Sequence, residues 1–197
     1  MVTGAIFALL SPPKMPESPE TEAQLLFNRQ DLGHKLHRLA LQILEHHRDR
    51  APAFVGIHTR GVTLAERVRK ILAAEQADLQ IPLGAVDVSF YRDDLDHLIT
   101  NPEVQSTDIP FAVEGVDVII FDDVLFTGRT IRSAIEGVMS FGRPKSIELA
   151  VLIDRGNREL PIQPDYVGEK IETSRHDHIR VMFDEHDGED GIRVKRG

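Results

Sequence analysis

Apolar and polar positions along the chain follow two periods in turn, one near 3.6 residues and one of short continuous runs. Leu25, Leu26, Leu32, Leu36, Leu39, Ala40, Ile43 and Leu44 recur at three- and four-residue spacings. This predicts an amphipathic helix that begins at Leu25 and ends near His46 and His47. Ala53-Phe54-Val55-Gly56-Ile57, behind Pro52, reads as a buried strand. A second helix is predicted over about residues 62–74, with Leu64, Ala65, Val68, Ile71 and Leu72 on one side, and a strand over 83–90 with Asp87 inside it. Residues 91–110 are too polar for core and read as a loosely packed hairpin or a lid. A short strand at Phe111-Ala112-Val113 and a turn at Glu114-Gly115 return the chain to the sheet. Next come a buried strand over 116–121, a loop over 122–130, and a helix lined by Ile131, Ala134, Ile135, Val138 and Met139 that Gly142-Arg143-Pro144 stops. Residues 147–153 form another apolar strand, and the acidic turn 185–190, between 179–183 and 191–194, predicts a terminal hairpin. Strands alternating with helices predict an α/β fold, a mostly parallel sheet flanked by helices.

Composition narrows the class. The 197 residues suit one domain, and 41% hydrophobic with 28% charged residues describes a soluble globular chain. Cysteine is absent, which excludes disulfides, thiolate metal sites and a catalytic thiol. With 23 Lys+Arg against 32 Asp+Glu the net charge is -9, which argues against a general nucleic-acid binder and leaves room for a local basic patch. The apolar start, Val2 to Leu10, is too short to span a bilayer and lacks the positive flank of a secretory signal. Residues 1–21, rich in Pro and Ser, are expected to be a disordered extension, 22–197 the folded domain, and the location cytoplasmic with no membrane contact.

The chemistry concentrates in Asp122-Asp123-Val124-Leu125-Phe126-Thr127-Gly128-Arg129-Thr130. An apolar strand delivers two adjacent carboxylates at its carboxyl end, where open α/β sheets bind ligands. Hydroxyls, a glycine and the amides of a helix start follow, the ingredients of a phosphate cradle. Carboxylates repel phosphate, so they suit sugar hydroxyls or a divalent cation. A ligand with a sugar diol beside a phosphate satisfies both halves. The Gly-Lys-Ser/Thr end of an ATP-binding loop and the Gly-x-Gly-x-x-Gly fingerprint are both missing, which ranks ATPases and dinucleotide enzymes low.

This nonapeptide resembles the phosphoribosyl-diphosphate (PRPP) motif of type I phosphoribosyltransferases. With it, residues 56–65, Tyr91-Arg92-Asp93-Asp94-Leu95 and 154–162 stand in the family order of the PyrR regulators, which join pyrimidine-operon attenuation to uracil phosphoribosyl transfer. The resemblance covers about residues 31–194. It implies Mg2+-dependent formation of UMP and diphosphate from uracil and PRPP, with inversion at C1. It further implies that Asp122 and Asp123 hold the ribose hydroxyls and meet Mg2+ indirectly, through PRPP or water. Val124, Leu125, Phe126, Thr127, Gly128, Arg129 and Thr130 wrap the 5-phosphate in that reading. Thr59, Arg60 and Gly61 form the diphosphate loop, where family members often carry a non-proline cis peptide. Ser89, Phe90, Tyr91, Arg92, Asp93 and Asp94 open a flexible loop, with Arg92 reaching diphosphate on closure. Asp87 orients the metal surroundings or buttresses the site. Leu152, Ile153, Asp154, Arg155 and Gly156 belong to a small base-binding hood, in which Asn157 replaces the family's usual His. Arg60, Arg92, Asp122 and Asp123 are the catalytic candidates.

The resemblance also implies a homodimer or larger assembly and UMP- or UTP-dependent binding of a pyrimidine-operon leader RNA, with His37, Arg38, Arg143, Lys145 and Arg158 as candidates. Leu41 stands where a histidine is usual, and Gln163, Glu169 and Glu172 stand where Arg, Lys and Pro are common, so the expected RNA face is short of positive charge. Competing readings are a regulator that uses the site only as a nucleotide sensor and a phosphoribosyltransferase for another base. The pairs His46-His47 and His176/His178 suggest a metal at first sight, but no carboxylate partner is evident, and surface histidines are the expectation.

Overall fold

The computed structural model describes residues 23–48, 50–88 and 106–197. Its elements in chain order are β1 (Gln24–Phe27), α1 (Arg29–His46), β2 (Ala53–Ile57), α2 (Arg60–Glu75), β3 (Leu83–Val86), β4 (Asp117–Leu125), α3 (Arg129–Met139), β5 (Ser146–Asp154), β6 (Tyr166–Lys170), β7 (His178–Met182), α4 (Asp184–Asp187) and β8 (Gly191–Lys195). Two sheets result. A five-stranded sheet has the order β3-β2-β4-β5-β6, parallel throughout, and β1-β8-β7 form a three-stranded antiparallel sheet. The predicted α/β class is therefore present. Among the described residues no helix is long and apolar enough to cross a membrane.

Strand alternation divides the core. Phe54, Ile119, Phe121, Ala150 and Leu152 face α1 and α2, packing with Leu32, Leu36, Leu39, Ile43, Leu64, Val68 and Leu72. Their sequence neighbours Val55, Ile57, Val118, Ile120, Leu149 and Val151 face α3 through Ile131, Ala134 and Val138. On the first side the Phe54 and Phe121 rings lie 4.5 Å apart, tilted by 52°.

Several elements differ from the sequence expectation. The first helix starts four residues later, because Asn28 caps it. Asn28 Oδ1 accepts from the Gln30 and Asp31 amides at 2.8 and 3.1 Å, and Asp31 accepts from the Asn28 amide in return. Leu25 and Leu26, placed in that helix by spacing, instead lie in β1, paired to β8. The predicted strand at 111–113 is irregular, although Val113 is buried. The edge of β3 is instead bridged by Asp108, whose amide and carbonyl bond Ala85 at 2.9 and 2.7 Å. β4 runs on through Asp122 and Asp123 to Leu125, leaving a loop of three residues in place of nine. β6 was not anticipated. The extension 1–21 and the loop residues Ser89 to Asp94, Arg92 included, lie outside the described residues, as does the end of the predicted 83–90 strand.

The polar face of α2 ties the parallel sheet to the terminal segment. Arg60, Thr63 and Arg67 recur at spacings of three and four on α2 and so share a face. Arg60 Nε donates to the Val181 carbonyl at 2.8 Å, and its Nη2 reaches both oxygens of Asp187 at 2.8 and 3.1 Å. Thr63 Oγ1 lies 2.7 Å from His186 Nε2. Arg67 bonds Glu185 and Asp190, the latter at 2.7 Å, over the Phe183 ring. Burial alone would raise the Asp187 carboxyl, but Arg180, the Phe183 amide and Arg60 outweigh it and hold it below the usual range. Asp190 behaves likewise, with Arg67 and the Asp184 amide overcoming burial.

These carboxylates set an acid limb. Folded values below the unfolded ones contribute stability above about pH 4, and that contribution disappears as pH falls through the folded values. The urea midpoint should drop more between pH 7 and pH 3 for the wild type than for Asp187→Asn. A second expectation concerns Gly61, where an added Cβ would stand 2.3 Å from the Phe121 carbonyl oxygen. Gly61→Ala should cost about 1–3 kcal/mol in urea unfolding. Gly33→Ala, in open space on α1, should instead gain about 0.5–1 kcal/mol.

Candidate functional site

The chain runs from β2 out to the edge strand β3 and then returns to β4 on the other side of β2. Strand order reverses between β2 and β4, and beyond the carboxyl ends of such a pair is the place where open α/β sheets bind ligands. Both sequence-predicted loops end there. After β2 the His58-Thr59 peptide is cis, and Arg60 and Gly61 begin α2. After β4 come Phe126, Thr127 and Gly128, then α3. Gly61 lies against this second strand: its absent Cβ would be 2.3 Å from Phe121 O and 3.4 Å from Asp122 Cα. Thr59 to Gly61 and Asp122 are thereby brought side by side.

Asp122 is buried, and its Oδ1 accepts from the Asp123 amide at 3.0 Å. Val124 and Leu125 belong to the strand, and Leu125 is in the core, so of the seven cradle candidates the loop proper is Phe126, Thr127 and Gly128. Gly128 takes φ +95° as the N-cap of α3 and offers no side chain to the first-turn amides. Thr127 Oγ1 accepts from the Arg129 amide at 3.2 Å.

The long connection from β5 to β6 closes over this loop. Glu159 and Leu160 amides donate to Thr127 O at 3.0 and 3.1 Å, and Leu160 and Ile162 pack beside Gly128. Arg129 reaches out to Glu159 at 2.7 Å, and Arg175 bonds the same carboxylate at 3.1 Å. Those two arginines hold the Glu159 carboxyl below its usual range. Thr130 follows in the first turn of α3, half-buried.

Asp154 ends β5 and organises the hood. Its Oδ1 accepts from the Gly156 amide at 3.0 Å and from Arg158 Nη2 at 2.7 Å. Arg155 lies over the Phe126 ring at 4.1 Å and donates to Thr173 Oγ1 and Ser174 O at 3.0 and 2.8 Å. Asn157 takes φ +58°, a conformation Asn tolerates better than most residues, and its Nδ2 donates to Thr173 O at 2.9 Å. Between these residues and Lys170, Ile171, Glu172 and Thr173 lies a cleft of about 480 Å³. Asp154, Arg155 and Gly156 line it, whereas Leu152 and Ile153 are core residues of β5. The cleft wall at 170–173 was missed in the sequence because it follows the unanticipated β6.

The basic candidates do not gather on a single patch. Arg143 and Lys145 precede β5 and Arg158 follows it, so they stand at opposite ends of that strand. Arg158 points inward, donating to Ile162 O, Phe126 O and Gly156 O at 3.0 to 3.1 Å besides Asp154. Lys145 pairs with Asp117 at 3.0 Å. On α1 the Arg38 guanidinium donates to Gly168 O at 3.0 Å, beside Glu169, which binds the buried Lys35 at 2.7 Å. His37 stays exposed.

Among the described residues, two places hold groups of metal-binding type. Asp122 and Asp123 offer hard carboxylate oxygens at the sheet's carboxyl end, a donor type that suits Mg2+. The expectation of partnerless surface histidines is corrected at the other end: His46, His47 and Glu148 bring ligand atoms within 4.8 Å of one another and could hold a divalent ion.

Residues 24–186 match the phosphoribosyl transferase domain family. A protein named bifunctional protein PyrR from Thermus aquaticus is 43% identical over 170 residues, 86% of this chain and 93% of its own. Its namesake from Enterococcus faecalis is 45% identical over 163 residues, 82% of this chain and 90% of its own. Among solved structures, a hypoxanthine phosphoribosyltransferase from Staphylococcus aureus superposes with TM-score 0.65 at 23% identity, covering 90% of this chain and 93% of that one. A hypoxanthine-guanine phosphoribosyltransferase from Bacillus anthracis gives TM-score 0.66 at 18% identity, covering 89% and 99%. At such identities the structures speak for the fold. The sequence relatives decide the family: this chain belongs to the PyrR family of type I phosphoribosyltransferases.

Proposed function

We propose that this protein carries a PRPP and uridine-nucleotide site that makes UMP from uracil and PRPP and couples nucleotide binding to recognition of pyrimidine-operon leader RNA. The observation that supports the transfer reaction is the junction of Thr59 to Gly61 with Asp122 at the reversal of strand order, next to the cleft at 154–157. In this reading Asp122 and Asp123 hold the ribose hydroxyls, and the Thr127-Gly128 loop with the start of α3 takes the 5-phosphate. Uracil, lying in the cleft of Asp154, Arg155 and Gly156, forms the N1–C1 bond as the C1–O bond breaks. The bonding pair leaves with diphosphate, and the N1 proton passes to solvent. Asp122 and Asp123 stabilise positive charge on the sugar, and Thr59-Arg60-Gly61 together with Arg92 receive the leaving group. Mg2+ bound with PRPP supplies neutralising charge on the diphosphate.

A second reading, a nucleotide sensor acting on RNA, has an observation in its favour. Arg60 is engaged by Val181 O and Asp187, which turns it toward the terminal segment. The relatives bear the name bifunctional, which supports a two-function protein better than a dedicated uracil enzyme. A third reading, transfer to another base, is tested by the same assay.

UMP formation from PRPP, uracil and Mg2+ is expected in the wild type, with hypoxanthine unreactive, and Asp123→Asn should lower kcat/KM about 10²–10³-fold. Nucleotide binding without turnover would leave the sensor. Arg60→Ala should lower the urea midpoint through the loss of the Asp187 partner. A fall in kcat that persists under conditions where the variant is fully folded would mark diphosphate contact, whereas unchanged kcat there would leave anchoring alone. For RNA, a gel shift of a pyrimidine-leader stem-loop should depend on UMP and lie near the micromolar range that a charge-poor face allows. Equal binding to an unrelated RNA would remove the regulatory half.

A further inference from the structure

We propose that His46, His47 and Glu148 form a binding site for a borderline divalent transition metal such as Zn2+, separate from the phosphoribosyl site. The three ligands come from the end of α1 and from β5, with β6 beside them. His46 is the last residue of α1 and His47 its C-cap, whose amide still donates to Ile43 O at 2.9 Å. Glu148 is the third residue of β5, and Tyr166 opens β6 beside it. Six residues along β5 separate Glu148 from Asp154, about 20 Å of strand, so the cluster stands at the far end of the sheet from the cleft. It is independent of the proposed PRPP reading.

The geometry is that of ligands gathered around a common centre. His47 Nε2 lies 2.9 Å from Glu148 Oε2, and His46 Nε2 lies 4.0 Å from Oε1 of the same carboxylate. Ligand atoms at about 2.0–2.2 Å from a tetrahedral Zn2+ sit roughly 3.3–3.6 Å apart, so small rotations of the rings meet that requirement. The side chains of His47 and Glu148 are 9% and 16% exposed, which fixes two ligands, while His46 at 65% leaves a way in for the ion. Tyr166 hydroxyl donates to Glu148 Oε2 and lies 3.2 Å from His47 Nε2, so it orients both groups, as outer partners do around protein-bound metals. The C-terminal carbonyls of α1 add a field that favours a cation.

Donor chemistry sets the ion. Two imidazoles and one carboxylate suit Zn2+, Co2+ or Ni2+ and are a poor match for Mg2+, which prefers oxygen and octahedral geometry. Coordination needs both Nε2 atoms unprotonated, with the ring protons on Nδ1. An ion held there would tie the end of α1 to the starts of β5 and β6, and so stabilise the folded chain by mass action.

The test is titration of the full-length, chelator-stripped protein with Zn2+ against a chromophoric chelator, with thermal unfolding measured in parallel. One Zn2+ per chain and a raised Tm are expected. His46→Ala and Glu148→Gln should each weaken binding at least tenfold and abolish the Tm shift, and Tyr166→Phe should weaken it about 10–100-fold. His46→Ala alters an exposed side chain and keeps the test valid if the buried variants fail to fold. His176→Ala should bind like the wild type. Binding that survives His46→Ala and Glu148→Gln, or wild-type binding no tighter than theirs, overturns the site, as does equal competition by Mg2+.

Discussion

The whole arrangement rests on a contact with no room for a side chain. Gly61, at the start of α2, abuts the Phe121 carbonyl, and Gly56 in β2 likewise lies under Val62, where a Cβ would be 2.4 Å from its Cα. These two glycines let α2 sit flush on β2 and β4. The loop after β2 then meets the carboxylates at the end of β4. Because α2 is held so closely, the basic face it presents, Arg60 and Arg67, reaches the terminal segment and fastens the second sheet to the first. The meeting of the β2 loop with Asp122 and the attachment of the second sheet are thus two consequences of a single close packing.

Much of this was legible in the residues. Period and apolar runs located four of the five parallel strands and all three long helices, and the PRPP-like nonapeptide marked the carboxyl end of β4. The failures have physical causes. Leu25 and Leu26 match helical spacing with Leu32 and Leu36, but Asn28 and Asp31 satisfy each other's amides and make the helix begin after them. Asp122 and Asp123 read as loop because carboxylates are costly in a sheet, yet β4 continues through them to the core residue Leu125, with Asp122 buried. Partners distant in sequence could not be seen at all. Arg60 with Asp187 and His47 with Glu148 are joined only by the fold.

The charge of -9 takes on a different meaning in the structure. Many of its carboxylates are internal ties and contribute little to an outward field. Glu169 binds Lys35, Asp154 binds Arg158, and Asp117 binds Lys145 and Ser146. Asp177 is held well below the usual range by the Ser174 amide first, against the opposing effect of burial, with Arg196 adding to it. The same ties engage Lys145 and Arg158, two of the cations that the family resemblance assigns to RNA. Basic residues counted along the sequence therefore overstate the positive surface.

The pairing of β1 with β8 has a consequence in time. Gln24 stands opposite Val194, so the second sheet joins the two ends of the domain. Contacts of such long sequence separation form late, because loop-closure entropy must be met before they contribute. During synthesis the first helices and the parallel sheet emerge first, with Arg60 and Arg67 still lacking their carboxylates. The polar face of α2 is satisfied only when residues 181–190 arrive, and a chain halted before them would leave Arg60 and Arg67 without the carbonyl and carboxylates that hold them.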